Sequence, residues 1–169
     1  MTLMRRRWFS IPLLLFVAGS ADAGDCRAVL RPLMLQNPPD RAALIEAQAL
    51  CRAEADAGDA DSLYQTSLLH LGLLDFDVDR ALPMIQSAAR GEVPEAQYWL
   101  AWQYESGPLL PDNAQLAREW YERAGANEHR LALNRLAVAY GNGELGLVAD
   151  ARKAAEFRAR AERCKNDNS

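Results

Sequence analysis

Residues 91–127 read GEVPEAQYWLAWQYESGPLLPDNAQLAREWYERAGAN, and this stretch decides the fold. In its first half, small and apolar residues recur at the spacing of one helix face. These residues are Ala96, Leu100, Ala101 and Tyr104. A second stripe of the same kind consists of Ala117, Trp120, Tyr121 and Ala124. Gly107, Pro108 and Pro111 lie between the two halves and forbid a continuous helix. The stretch therefore predicts two helices joined by an elbow, each with an apolar face that needs a neighbour.

The same pattern returns later in the chain, its first half after 36 residues and its second half after 37. The first-half positions recur as Ala132, Leu136, Ala137, Tyr140 and Gly143, and the second-half positions as Ala154, Phe157 and Ala161. A degenerate copy precedes the central unit, with Ser62, Thr66 and Ser67 where the later copies have Ala, Leu and Ala. A period in the thirties that contains helix, elbow and helix is typical of an α-solenoid. We assign the copies to residues 58–90, 91–126 and 127–164.

The N-terminus has the three parts of a secretory signal peptide. Arg5, Arg6 and Arg7 form a basic start, residues 11–18 are mostly apolar, and residues 21–23 read Ala-Asp-Ala, a small-residue cleavage site. The apolar part is too short to span a membrane. We therefore expect residues 1–23 to be removed after Ala23 and the protein to be periplasmic or secreted through a Sec-type route.

Residues 24–57 predict an N-terminal helical hairpin that caps the repeats. Cys26 and Cys51 each lie about eleven residues from the turn at residues 37–40, roughly 16 Å along a helix at 1.5 Å per residue. Antiparallel helices bring these two thiols level, and an oxidising compartment favours a Cys26–Cys51 disulfide. Two alternatives remain open: Cys164 bridges to a partner protein, or to Cys51 if the hairpin is absent. Residues 165–169 predict a polar tail.

The repeated motif resembles the Sel1-like repeat, a relative of the tetratricopeptide repeat. The resemblance is close in two units and loose in residues 58–90. Ala101 and Ala137 depart from the glycine that is usual there, and His70 stands at a slot where tyrosine is usual. The resemblance implies an all-α fold, a short right-handed α-solenoid of helix–turn–helix repeats, used as a scaffold that binds other proteins.

No residue set in the sequence favours catalysis or a cofactor. The chain lacks the common hydrolase, zinc-protease and phosphate-loop motifs. Its two histidines, His70 and His129, have no partner at metal-ligand spacing, so we expect His70 to pack in the core and His129 to be solvated. Asp75, Asp77 and Asp79 alternate in a short elbow, without the glycine and glutamate of a calcium loop. We predict no catalytic residue, no metal site and no cofactor.

The charge of the chain disfavours nucleic acid and anionic membrane surfaces as partners. The formal net charge is -4, and removal of three arginines and one aspartate with the signal peptide gives (19 − 3) − (23 − 1) = −6. Nucleic-acid-binding proteins carry the opposite sign. We expect a protein partner, and neither a membrane span nor a small-molecule substrate is evident.

The best candidate for a binding surface is an aromatic face of the central unit. Trp99 and Trp102 lie off its core stripe, on the face that is predicted to line the concave side. Tyr98 lies at the margin, Gln103 lies beside Trp102, and Arg135 is the position that matches Trp99 one repeat later. Exposed Trp, Tyr and Arg dominate protein interfaces. We predict that these five residues contact a partner. The alternative is that both tryptophans pack under the N-terminal cap.

Three functions fit the sequence in decreasing order. The first is a periplasmic adaptor or scaffold that binds a partner through the concave face. The second is an immunity protein that neutralises a secreted antibacterial toxin. The third is a cell-wall enzyme or sugar-binding protein, which the missing catalytic residues disfavour.

Trp120, unlike Trp99 and Trp102, is predicted to pack in the core.

Overall fold

The computed structural model describes residues 25–166 of the chain. The predicted signal peptide and residues 167–169 of the predicted tail lie outside the described residues. Regular secondary structure in this part is helical, apart from one isolated bridge between Leu71 and Phe76. The helices are α1 (Cys26–Met34), α2 (Arg41–Asp56), α3 (Ala60–Leu69), α4 (Val78–Arg90), α5 (Pro94–Ser106), α6 (Ala114–Ala126), α7 (Arg130–Asn142) and α8 (Ala151–Asn166). The predicted all-α fold of successive helix pairs is confirmed.

The first pair, α1 and α2, forms a disulfide-linked hairpin. Cys26 and Cys51 are bonded as predicted, with their Cα atoms 4.8 Å apart, and both are buried. Leu30 of α1 and Leu44 of α2 pack beside them. Leu69 of α3 belongs to the same cluster, so the hairpin shares its core with the first repeat.

The degenerate repeat buries hydroxyl groups where the other repeats bury methyl groups. Ser62, Thr66 and Ser67 are all buried. The Ser62 hydroxyl donates to Glu54 Oε2 at 2.6 Å. The Thr66 hydroxyl donates to the Ser62 carbonyl at 2.7 Å, and the Ser67 hydroxyl donates to the Tyr64 carbonyl at 2.6 Å. Because each buried hydroxyl has an acceptor, the polar substitutions are compatible with the stack.

One backbone hydrogen bond closes all three elbows in the same way. A carbonyl at or near the end of the first helix accepts from the amide of the residue that caps the second helix. The donor–acceptor pairs are Asp77 to His70 at 2.9 Å, Asn113 to Tyr104 at 2.7 Å and Asp150 to Tyr140 at 2.7 Å. Each donor residue also caps the next helix with its side chain. His70 is buried and takes the position of the tyrosines, as the sequence predicted.

The central unit packs through the two predicted stripes. Ala96, Leu100 and Ala101 of α5 are buried, and so are Ala117, Tyr121 and Ala124 of α6. Trp120 is half-buried and contacts the clusters of both the first and the central repeats. This packing matches the predicted structural role of Trp120.

Arg27 in the hairpin forms ion pairs with two successive repeats. Its Nε donates to Asp61 Oδ2 on α3 at 2.9 Å, and its guanidinium also donates to Glu95 Oε1 on α5 at 3.1 Å. The hydrogen bond with Asp61 and the charge of both carboxylates raise the pKa of Arg27. The hairpin is thereby held to the first two repeats.

Candidate protein-binding site

An apolar groove of about 450 Å³ opens beside α5. Trp99, Trp102 and Gln103 line it, so the structure brings together three of the five predicted partner-binding residues. The remaining lining comes from the end of α1, from α3 and from the two neighbouring elbows. These residues are Met34, Leu68, Leu71, Leu73, Phe76, Pro108 and Leu109.

The two tryptophans differ in exposure. Trp99 is half-buried and packs against the core shared by α4 and α5. Trp102 is 42% exposed and faces the groove. The groove is bounded by Met34 of the N-terminal hairpin, so the tryptophans lie beside the cap without being covered by it. Trp102 is therefore the more solvent-exposed of the two tryptophans.

Gln103 holds one wall of the groove in place. Its side chain is 2% exposed, and its Oε1 accepts from the backbone amide of Leu109 at 3.1 Å. Gly107 passes so close that a Cβ there would lie 2.5 Å from the Gln103 Cα. Gln103 thus positions the elbow that carries Pro108 and Leu109, and its own polar atoms are turned inward.

Another part of the lining is the elbow between α3 and α4, through Leu71, Leu73 and Phe76. Leu71 and Phe76 form a bridge across it, and the Leu74 amide donates to the Leu69 carbonyl at 2.9 Å. Inside this elbow, His70 Nδ1 lies 2.9 Å from Asp75 Oδ1. These bonds fix a loop whose most prominent side chain, Phe76, is 70% exposed. A large aromatic ring is thereby presented to solvent at the edge of the groove.

Carboxylates surround that exposed ring in sequence. Asp75 and Asp77 flank Phe76, and Asp79 follows in the first turn of α4. Arg80 Nε lies 3.6 Å from Asp77 Oδ2, a surface ion pair. None of the residues that line the groove is charged. The site therefore combines an apolar interior with an acidic edge.

Tyr98 lies away from the groove, on the side of α5 that faces α6 and α7. Its ring stacks on His129 at a centroid distance of 4.6 Å and lies 5.8 Å from the ring of Tyr121. His129 caps α7 by accepting from the Ala132 amide at 3.3 Å, and burial lowers its pKa. His129 is half-buried and stacked on Tyr98, so it is less solvated than the sequence predicted.

Arg135 also lies outside the groove and joins the second and third repeats. Its Nε donates to Glu105 Oε1 at 2.8 Å, and its NH1 lies 2.8 Å from Glu144 Oε2. Tyr121 donates to the other oxygen of Glu105 at 2.7 Å. Burial, followed by this hydrogen bond, raises the pKa of Tyr121, and the bond to Glu105 raises the pKa of Arg135. In this structure Arg135 is a link between repeats.

The sequence reasoning missed the elbow residues and Met34. Phe76 was identifiable in principle, because an aromatic residue between aspartates in a short elbow has no helix face to occupy. Met34, Leu73 and Leu109 carry no such signal, since their approach to the groove depends on how the hairpin and the elbows fold. Val138, which matches Trp102 one repeat later, is 46% exposed and does not line the groove.

The described part of the chain lacks the features of two other kinds of site. Residues 25–166 contain no cluster of three or more His, Cys, Asp or Glu side chains placed to hold a metal ion. None of the helices in the same range is both long and apolar enough to cross a bilayer. Asp75, Asp77 and Asp79 instead serve the elbow and the start of α4.

Comparisons with known proteins agree with the repeated architecture. The sequence model of the Sel1 repeat family matches residues 94–129 and 130–161. The crystal structure of a Sel1 repeat protein from Oxalobacter formigenes superposes with a TM-score of 0.62 at 29% identity, covering 69% of this chain and 92% of that one.

A curated relative shares a shorter segment. The chitin synthase regulator SKT5 of Saccharomyces cerevisiae is 37% identical over 60 residues, which are 36% of this chain and 9% of that protein. The chain thus spans a small fraction of the length of this relative. The repeat matches, the helix-pair architecture and the similar solved structure together show that residues 94–161 of the chain form Sel1-like repeats.

Proposed function

We propose that this protein is an exported adaptor that binds another protein through the apolar groove beside α5. The observation that carries the proposal is the exposure of both Trp102 and Phe76 in the lining of one groove. Large aromatic side chains that are open to water and surround a concave apolar surface are typical of binding sites, because a partner that covers them removes apolar area from water.

The family supports a binding role. Sel1 repeats are a scaffold for protein–protein interaction, and the yeast relative is named as a regulator of an enzyme. A protein that regulates or assembles others needs a recognition surface and no catalytic residues of its own. We assign this chain the same general role, without an enzymatic activity.

The proposed location rests on two features of the chain. The first is the basic, apolar and small-residue order of residues 1–23. The second is the buried disulfide between Cys26 and Cys51, a bond that persists in oxidising compartments. Fractionation of cells that express the full chain tests the location. We expect the protein in the periplasmic fraction, with the mass of a chain that starts at Gly24. Recovery only from the cytoplasm with residues 1–23 intact would contradict export.

The binding role is tested by crosslinking followed by affinity measurement. A photoreactive amino acid at position 102 should capture a partner in cells, whereas one at the exposed position Glu156 on α8 should not. The identity of the captured protein then distinguishes the two functions. The adaptor proposal predicts an envelope component, and the immunity alternative predicts a secreted toxin.

The affinity of the purified partner decides whether the groove is the site. We expect Trp102→Ala to weaken binding at least tenfold, which corresponds to about 1.4 kcal/mol. Val138→Ala is the matched control, because it occupies the same helix position one repeat later and lies outside the groove. If Trp102→Ala binds the partner as tightly as the unchanged protein, the groove is not the binding site.

A further inference from the structure

We infer that the groove recognises a protein segment in which a large apolar side chain is flanked by lysine or arginine. This inference deepens the proposed function and rests on it. It concerns the chemistry of the partner, which neither the family nor the relatives specify.

The apolar part of the segment follows from the walls of the groove. Leu68, Leu71, Trp99 and Leu109 form an interior without a charged side chain. A polar group that entered this interior would lose its water without gaining a charged partner from the lining. An apolar side chain gains by displacing water from the same surface, so the interior selects Leu, Met or an aromatic residue.

The preference for lysine or arginine in the segment follows from the acidic edge of the groove. Residues 75–80, which include the exposed Phe76, read DFDVDR and hold three aspartates against one arginine, a net charge of −2 for this segment. Arg41 also approaches this elbow, where its NH1 donates to the carbonyl of Leu74 at 3.0 Å, so its charge reduces the net charge of the elbow to −1. The attraction of this edge for a cation acts within the Debye length of about 8 Å at physiological salt.

The aromatic rings add to the same preference. Phe76 is exposed between Asp75 and Asp77, Trp102 is exposed in the same groove, and the face of an aromatic ring attracts ammonium and guanidinium groups. A carboxylate next to an open ring therefore binds a lysine or arginine side chain by its charge and by its apolar stem together.

The same charges disfavour two other occupants. An anionic lipid headgroup would meet the carboxylates of the elbow at close range. A second copy of this chain carries a net charge of -4, or −6 once the signal peptide is removed, and would be repelled at long range. A basic and apolar segment of another protein is the occupant that satisfies both the interior and the edge.

The test is selection from a library of random peptides displayed on phage, with the purified oxidised protein as bait. We expect the enriched peptides to share an apolar residue with lysine or arginine within two or three positions of it. Enrichment of acidic or uncharged apolar peptides, or no enrichment above a bait without the groove aromatics (Phe76→Ala with Trp102→Ala), would overturn the inference.

The enriched peptide is then measured by fluorescence anisotropy against matched variants. Asp77→Asn with Asp79→Asn keeps a capping side chain on α4 and removes two charges. We expect this variant to bind threefold to tenfold more weakly at low salt, with the difference shrinking as salt is added. Glu46→Gln, an exposed change on α2, is the control and should bind like the unchanged protein.

The two proposals fail in different ways. If the captured partner protein depends on Trp102 but the peptides show no basic preference, the adaptor function stands and the inference about charge is wrong. If basic peptides bind and neutralisation of Asp77 and Asp79 has no effect at any salt concentration, the acidic edge is not the cause of the preference. Equal circular dichroism spectra for all variants ensure that each loss reflects the surface and not the fold.

Discussion

Gln103 Oε1 accepts a hydrogen bond from the Leu109 amide at 3.1 Å, which joins the end of α5 to the elbow that forms one wall of the groove. Replacement of Gln103 by Ala leaves that amide without its acceptor and opens a small space in a buried position. We expect the free energy of unfolding to fall by about 1–3 kcal/mol. Urea denaturation measures the loss.

Gln115→Ala is the matched control for this change. Gln115 is exposed on α6, and its amide bonds only the side chain of Glu119 one turn away. We expect its free energy of unfolding to stay within about 0.5 kcal/mol of the unchanged protein. Equal losses from both variants would show that the Gln103 bond does not hold the elbow.

Gly107→Ala and Gly141→Ala should change stability in opposite directions. A Cβ at Gly107 would lie 2.5 Å from the Gln103 Cα, so the elbow must move. A Cβ at Gly141, inside α7, meets only the Ala154 Cβ at an ordinary 3.8 Å. We expect Gly107→Ala to lower the melting temperature and Gly141→Ala to raise stability by up to about 1 kcal/mol, since alanine favours the helix.

Melting curves of the two glycine variants, followed by circular dichroism, provide this comparison. A Gly107→Ala variant as stable as the unchanged protein would mean that the elbow has room for a side chain. It would also remove the reason for the glycine at this position of the repeat.

The repeats could be predicted from the sequence, but the different structural reasons for the glycine in each elbow could not. Gly107 and Gly143 occupy the same slot one period apart. Gly143 adopts a left-handed conformation with φ 73°, whereas Gly107 is extended with φ -78° and is required by the nearby Gln103. The period of the repeats is visible in the sequence because helix faces repeat. The backbone conformation of each glycine is not visible there, because the two elbows differ in length.

The candidate site was predictable in part for the same reason. Trp99 and Trp102 depart from the helix stripe, so their face was predicted from spacing alone. The direction of Tyr98 and Arg135 depended on neighbours from other repeats, namely His129 and Glu105. Tertiary partners of this kind leave no periodic trace in the sequence.

Loss of the disulfide should destabilise the N-terminal hairpin. The bond between Cys26 and Cys51 spans a sequence separation of 25 residues. For a loop of this size we expect Cys26→Ala with Cys51→Ala to lower the free energy of unfolding by about 3 kcal/mol. Urea denaturation with and without a reducing agent measures it. The double variant should be insensitive to the reductant, and a large further loss on reduction would contradict this assignment.

Alkaline pH should destabilise the folded protein through its buried tyrosines. Burial, and next the charge of Glu95, raises the pKa of Tyr64 to about 12 from an ordinary 10.0. Between these values the unfolded chain releases the proton and the folded chain keeps it. Stability is therefore full below about pH 10 and falls as the pH rises toward about 12.

Tyr64→Phe removes one of the groups that cause this fall. Urea denaturation at several alkaline pH values should show a shallower decline for the variant than for the unchanged protein. Some decline should remain, because burial and the hydrogen bond to Glu105 also raise the pKa of Tyr121. An identical decline for both proteins would show that Tyr64 titrates normally in the fold.

Arg27 reaches past its nearest repeat, and this has a consequence for how the protein opens. In a stack whose members touch only their neighbours, each end can unfold while the rest persists. Arg27 binds Asp61 on α3 and Glu95 on α5, and the hairpin that carries it also supplies Met34 to the groove. The walls of the groove therefore belong to the elements that Arg27 connects. We expect their backbone amides to exchange with solvent at a common rate, so that a partner meets a groove that is either whole or absent.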